Sequence, residues 1–140
     1  MAITQGQCTV FKVNLLKALE NFNTGTPYTY KIALYTASAT LNADTLAYTT
    51  DNEVTGTGYT AGGNTLSPTV PVSGDTTAYI SFANVTWNPA SFTARGALIY
   101  NSTTGAAVAV LDFGADKTAT STFTVTFPTA DASNAIIRIS

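Results

Sequence analysis

After Pro27 the apolar residues of this chain fall at every second position, and that period excludes most folds at once. Tyr28, Tyr30, Ile32 and Leu34 alternate with Thr29, Lys31, Ala33 and Tyr35, the spacing that sends one set of side chains to each face of a strand. Further strand candidates lie at 47–54, 65–72, 77–82, 92–100, 106–113, 122–127 and 135–139. Turn signals separate most of them: Gly56-Thr57-Gly58, Gly62-Gly63-Asn64, Ser73-Gly74-Asp75, Asn88-Pro89 and the stretch from Gly114 to Lys117. Short strands at this spacing with Gly, Asn and Pro between them predict a sandwich or barrel. No alternation of strands with helices is present, which argues against a parallel α/β sheet.

Only the region before Pro27 reads differently. Phe11, Leu15, Leu19 and Phe22 recur every three or four residues, Thr9 is a plausible N-cap, and Asn23-Thr24-Gly25 followed by Pro27 supplies a stop. The reading is one short amphipathic helix over about residues 9–22, packed on a sheet. The chain is therefore expected to be all-β: a single domain over 1–140, an antiparallel β-sandwich of jelly-roll type, with strands from about 28 to 139 and that one helix near its start. Phe123, Val125 and Phe127 alternate with Thr122, Thr124 and Thr126, so the three apolar residues should point inward. The run from Ala106 to Leu111 is apolar at every position, as expected of a central strand covered on both faces.

Composition supports this. Charged residues make up 10% of the chain, against about 25% in an ordinary globular protein, and Thr, Ser and Asn fill the polar positions instead. Thr is β-branched and suits a pleated, half-exposed surface. With 45% apolar residues a sizeable core is available without metal or disulfide, and Cys8 is the sole cysteine. The net charge of −2 and the dispersal of the six cations along the chain (Lys12, Lys17, Lys31, Arg95, Lys117, Arg138) argue against a nucleic-acid partner. The first residues lack the pattern of a secretion signal, and no apolar run approaches the ~18 residues of a membrane span. A chain made and kept in a cytosol, with no membrane partner, is expected. On that view Asn84-Val85-Thr86 and Asn101-Ser102-Thr103 are chance matches to the glycosylation pattern.

Equipment for catalysis is sparse. The chain has no His, which removes the commonest general base and metal ligand. A Ser-His-Asp or Cys-His site is thus impossible, and zinc sites need more Cys and His than this chain holds. Of the eight acids, Asp44, Asp51, Glu53, Asp75, Asp116 and Asp131 fall in predicted turns or strand ends, where local hydrogen bonding explains them. Asp112 and Asp116 are the two acids spaced to offer oxygens to a hard cation, but the Ca²⁺-loop spacing is absent. Gly56-Thr57-Gly58-Tyr59-Thr60-Ala61 matches the loose dinucleotide fingerprint, yet a strand rather than a helix follows it, so a turn is the reading. Asp112-Phe113-Gly114 matches a kinase tripeptide without any companion motif and reads as a strand end. Trp87 and the seven tyrosines could stack on sugars, but aromatics in strands more commonly fill cores and interfaces. No catalytic residue, cofactor or small-molecule substrate is expected.

Four segments carry a resemblance. Tyr30-Lys31-Ile32-Ala33-Leu34-Tyr35-Thr36 is followed by Glu53-Val54-Thr55-Gly56-Thr57-Gly58-Tyr59-Thr60-Ala61-Gly62-Gly63. Thr93-Ala94-Arg95-Gly96-Ala97-Leu98-Ile99-Tyr100-Asn101 and Ala107-Val108-Ala109-Val110-Leu111-Asp112-Phe113-Gly114 come next. With the start Met1-Ala2-Ile3-Thr4 and the ending Asn134-Ala135-Ile136-Ile137-Arg138-Ile139, this order resembles a family of small virion proteins of tailed bacteriophages. The resemblance spans nearly the whole chain and implies a structural role in the virion without catalytic residues. A capsid decoration protein is the favoured expectation, with the major capsid protein and further copies of itself as partners, as a homotrimer. A tail, baseplate or fibre adaptor is the alternative, and a carbohydrate-binding module for host attachment is the third reading.

Overall fold

In the computed structural model, residues 2–23, 25, 27–69 and 71–140 are described. Along the chain they form β1 (Gly6–Gln7), α1 (Thr9–Leu16), β2 (Tyr30–Tyr35), β3 (Asn64–Leu66), β4 (Val72–Gly74), β5 (Thr77–Ile80), β6 (Val85–Trp87), β7 (Phe92–Asn101), β8 (Ala107–Ala119), β9 (Phe123–Val125) and β10 (Ile137–Ile139). The main sheet has five strands in the order β1-β8-β7-β2-β3; β10-β5-β4 form a second sheet and β6-β9 a third. Every pairing within these sheets is antiparallel. The fold is all-β and sandwich-like with one short helix, as the two-residue period predicts.

The core lies where the sheets face one another. Ile32, Leu34, Leu98, Val108 and Val110 come from the large sheet, Ile80 and Ile137 from the second, and Trp87, Phe123 and Val125 from the third; all are buried. Phe92 of β7 meets Phe123 of β9 at 5.2 Å between ring centroids, and Trp87 at 6.5 Å. Phe127 is buried beside Phe82, so Phe123, Val125 and Phe127 point inward as their alternation requires. The 106–111 run lies in β8 from Ala107 onward, between β1 and β7, and Ala107 to Val110 are buried.

Five local expectations are corrected. The helix ends at Leu16, not near 22. Ala18 takes a left-handed φ of 58°, and the N–H groups of Ala18 and Leu19 bond back to Leu15 and Asn14, a Schellman stop made without glycine. Leu19 is consequently 45% exposed. Asn23, Gly25 and Pro27 of the expected stop follow later, and Thr24 lies outside the described residues. The helix N-cap is Cys8, whose side chain makes no capping bond, rather than Thr9; the Cys8 N–H bonds Val108 instead, continuing the β1 ladder right up to the helix.

Residues 47–54 form no strand. Only isolated bridges remain, Ala47 with Ala106 and Glu53 with Tyr35, because the segment turns at Asn52, where φ is 61°. The expected 65–72 strand is split into β3 and β4, with Pro68 and Pro71 between them removing ladder donors; its Val70 lies outside the described residues. The turn expected at Gly114–Lys117 is a bulge inside the long strand β8. Ala94 faces Lys117 and Gly96 faces Asp112, so Arg95 alone stands opposite the four residues from Phe113 to Asp116. Gly114, at φ 80°, absorbs the excess. Asp112-Phe113-Gly114 is thus mid-strand rather than a strand end, and Asp116 lies in a strand, not a turn. Strands β1 and β6 have no counterpart in the sequence reading.

Candidate functional site

Among the described residues the most deeply buried charged side chain is Glu53, only 8% exposed. Its Oε1 accepts hydrogen bonds from the Tyr59 hydroxyl at 2.6 Å and the Gly62 N–H at 2.8 Å, and its Oε2 accepts from the Tyr48 hydroxyl at 2.7 Å. The Tyr59 oxygen in turn accepts the N–H of Leu34 at 2.8 Å. Tyr100 donates to the Gly62 carbonyl at 2.7 Å and stacks on Tyr48 at 4.6 Å. Tyr35 donates to Thr49 at 2.6 Å. Burial, aided by the neighbouring carboxylate, pushes Tyr59 and Tyr48 well above the ordinary tyrosine range, and the same two causes raise Tyr35 and Tyr100. These phenols stay donors, and Glu53 accepts three hydrogen bonds at once, from Tyr48, Tyr59 and the Gly62 N–H. The cluster fastens the strand-free segment 47–63 to β2 and β7.

The Gly-rich motif belongs to this fastening. At Gly58, φ is 86° and an added Cβ would lie 1.7 Å from the Pro89 carbonyl oxygen; at Gly63, φ is 73° and the clash with the Ile32 carbonyl oxygen would be 1.8 Å. Backbone lies directly on backbone at both points. The resemblance to a dinucleotide fingerprint therefore has a packing cause, and a turn with no helix behind it is what the structure places there.

A second, smaller cluster sits just past α1. Glu20 Oε2 accepts from the Tyr30 hydroxyl at 2.8 Å and from Asn101 Nδ2 at 3.1 Å. Burial raises the Glu20 carboxyl above its usual range, against those hydrogen bonds. Asn101 is fully buried, and its Oδ1 accepts the N–H groups of Thr103 and Thr104. It shapes the turn between β7 and β8 and offers no amide to a glycan, so the Asn101 sequon match has a structural explanation.

Asp112 and Asp116 both lie on β8. Asp112 Oδ1 accepts the Gly114 N–H at 2.8 Å and stands 3.6 Å from Arg95 Nε. Asp116 is exposed on the bulge. Among the described residues, no group of three or more His, Cys, Asp or Glu side chains comes together to hold a metal ion. Trp87 is 3% exposed, with Tyr59, Phe92 and Phe123 around its ring, and none of the seven tyrosines is exposed. Trp87 and six of the seven tyrosines thus lie in or against the core, and Tyr79 is half-buried. Cys8 is buried with its thiol 3.8 Å from the Asn42 carbonyl, and burial lifts it to about 11, which keeps it a protonated, unreactive thiol.

Sequence reasoning missed the role of Glu53, placing it with the turn acids. The signal was present: an acid with Tyr48 before it and Tyr59-Thr60-Ala61-Gly62 after it, in a segment too glycine-rich to form a strand. The surface carries an apolar groove between α1 and β10, lined by Phe11, Leu15, Phe22, Tyr79, Ile80 and Ile139 among others. The chain matches no described protein family, no curated protein and no solved structure. No helix among the described residues is long and apolar enough to cross a membrane.

Proposed function

We propose that this protein is a structural component of a tailed-bacteriophage virion, made in the host cytoplasm, that binds the outside of the head and cements neighbouring capsomers without catalysing a reaction. The observation that carries the proposal is the direction in which the chain spends its polar chemistry. Glu53, Glu20, Asn101 and five tyrosines are engaged inward, on the protein's own backbone and on one another. Thr recurs at outward strand positions; Thr86 faces Thr124 and Thr93 faces Thr118, each pair hydrogen-bonded side chain to side chain. A broad surface of this kind suits repeated contact with protein, where charge is depleted at interface centres. The resemblance of four segments to phage virion proteins supports the setting, and the major capsid protein is the partner it implies.

The test is to strip the parent particles of this protein and add it back at about 0.1 M and 1 M salt, between which the Debye length falls from roughly 10 Å to 3 Å. Binding to heads at both ionic strengths, in hundreds of copies and with restored heat resistance, is expected. Full occupancy with no gain in heat resistance refutes the cement role, and binding to tails in a dozen copies assigns the protein to an adaptor.

A further inference from the structure

The exposed side of α1 has an unusual make-up. At 100° per residue, Lys12, Val13, Leu16 and Lys17 fall within about 140° of arc, away from the buried Phe11. All four are exposed, and Leu16 keeps 91% of its surface open. The apolar groove beside this face has a volume of about 160 Å³. A second concavity, formed by Lys12, Leu16 and Arg138 among others, shares Leu15 and Ile139 with it, so the cations rim an aliphatic surface. Arg138 also faces Asp131.

Charge decides what can cover this face. Lys12, Lys17 and Arg138 are three of the six cations, which leaves the rest of the chain with three cations against eight acids, a net of −5. Two copies that met through this face in a twofold arrangement would set like charges against one another. A contact with a different, acidic part of the second copy would not. Of the large apolar side chains exposed among the described residues, Val13, Leu19, Leu46 and Val72 line neither concavity, and Leu46 is the most exposed of these at 69%. Asp44, two residues earlier, is exposed as well. Their loop is held firmly: Ala107 donates to the Leu46 carbonyl at 3.0 Å and Tyr48 donates to Gly105 at 3.0 Å.

We infer that the groove between α1 and β10 receives the Leu46 loop of a second copy of this chain, with the second copy's Asp44 against the Lys12 and Arg138 rim. The contact joins two different surfaces, so it repeats head to tail, giving a ring of three or more copies where the rotation closes and an open filament where it does not. This goes beyond the decoration role and is tested without any shell. The full chain is examined by analytical ultracentrifugation at about 100 µM, a concentration that populates even weak contacts of micromolar affinity. A ring is expected for the native chain. Leu16→Asp and Leu46→Asp should each weaken association at least tenfold and sediment as monomers with unchanged circular dichroism, since both side chains are exposed.

The mixture of these two variants separates this contact from any other. Leu16→Asp retains the loop and Leu46→Asp retains the groove, so together they should form a one-contact heterodimer that neither forms alone. A native chain that is monomeric, or a closed dimer, overturns the inference, as do variants that remain rings. Should the monomer instead sediment with vesicles containing phosphatidylglycerol, and lose this in Leu16→Asp, the face belongs to lipid. Should it bind only capsids through Leu16, the face belongs to the shell.

Discussion

Glu53 shows how one side chain can decide the conformation of a whole segment. Its two oxygens collect three donors from Tyr48, Tyr59 and Gly62, and no strand ladder holds residues 47–63 otherwise. Deleting the carboxylate leaves those donors without their acceptor, at about 1–3 kcal/mol for each buried group. Glu53→Ala should therefore lower unfolding stability by at least about 3 kcal/mol in urea titrations. Glu53→Gln should cost less, because its remaining carbonyl oxygen can still accept from Tyr59 and Gly62; equal losses in the two variants would remove the hydrogen bonds as the cause. Glu20 presents the opposite case. Its carboxyl is raised above 4.5 by burial, so in acid both folded and unfolded chains hold the proton, and as pH rises the unfolded chain releases it first. Stability from this group is thus present below about pH 4.5 and lost as pH climbs through the folded value. Glu20→Gln should gain on the native chain as pH rises above about 4.5 when unfolding midpoints are compared. A difference that does not change with pH would show that the carboxyl is not under strain from burial.

Among the elements, the legible ones are those whose side-chain period is also their structural cause. The alternation at 122–127 delivers β9 because one of its faces lies against the core, whereas β2 and β7 are buried at nearly every position and are legible from their apolar and aromatic content. Phe127→Ala should accordingly cost about 3–5 kcal/mol in chemical denaturation, and a midpoint that barely moves would contradict its burial against Phe82. Elements set by distant partners were not legible. The 47–54 segment has strand-forming residues, yet Asn52 turns it and Glu53 ties it to tyrosines beyond its own length. Gly114 looks like a turn, but across from it Arg95 is one residue facing four, a relation no local pattern displays. The end of α1 belongs to the same class. Leu19 continues the helical spacing, while Ala18 stops the helix in a conformation that costs an L-residue about 1–2 kcal/mol. Ala18→Gly should relieve that strain and raise stability by about 0.5–1 kcal/mol, after glycine's greater chain entropy is subtracted. A loss of stability would mean that Ala18 is not left-handed in solution. The groove was equally hidden, since Lys12 and Arg138 are 126 positions apart in the chain and meet only when β10 is laid beside α1.

At the scale of the whole molecule, the inward-facing phenols make the fold a titration device with one setting. Tyr30, Tyr35, Tyr48, Tyr59 and Tyr100 are all raised by burial, and the Cys8 thiol is lifted to about 11. In the unfolded chain tyrosine ionises near pH 10 and cysteine near 8.5. Each of these groups therefore contributes stability that is complete below its unfolded value and is lost as pH rises toward its folded one. The losses all fall in the alkaline range, the thiol's beginning before those of the phenols, and the phenols are spread over β2, β7 and the 47–63 segment. The expected outcome is a single cooperative alkaline transition, in which tyrosinate absorbance rises as the β circular-dichroism signal collapses. A gradual rise in tyrosinate would instead mean that the phenols titrate one at a time in an intact fold. The count makes the distinction sharp: the chain has seven tyrosines, so ionisation of more than two of them before the β signal falls requires at least one of the five inward-facing phenols to open without unfolding. Repeating the titration with Glu53→Gln separates the two causes of the shift. Removing the neighbouring carboxylate takes away the electrostatic part while leaving the burial, so a transition that stays cooperative but moves to lower pH reports the lost stability of the cluster, and one that splits into steps reports that Glu53 is what makes the phenols act together.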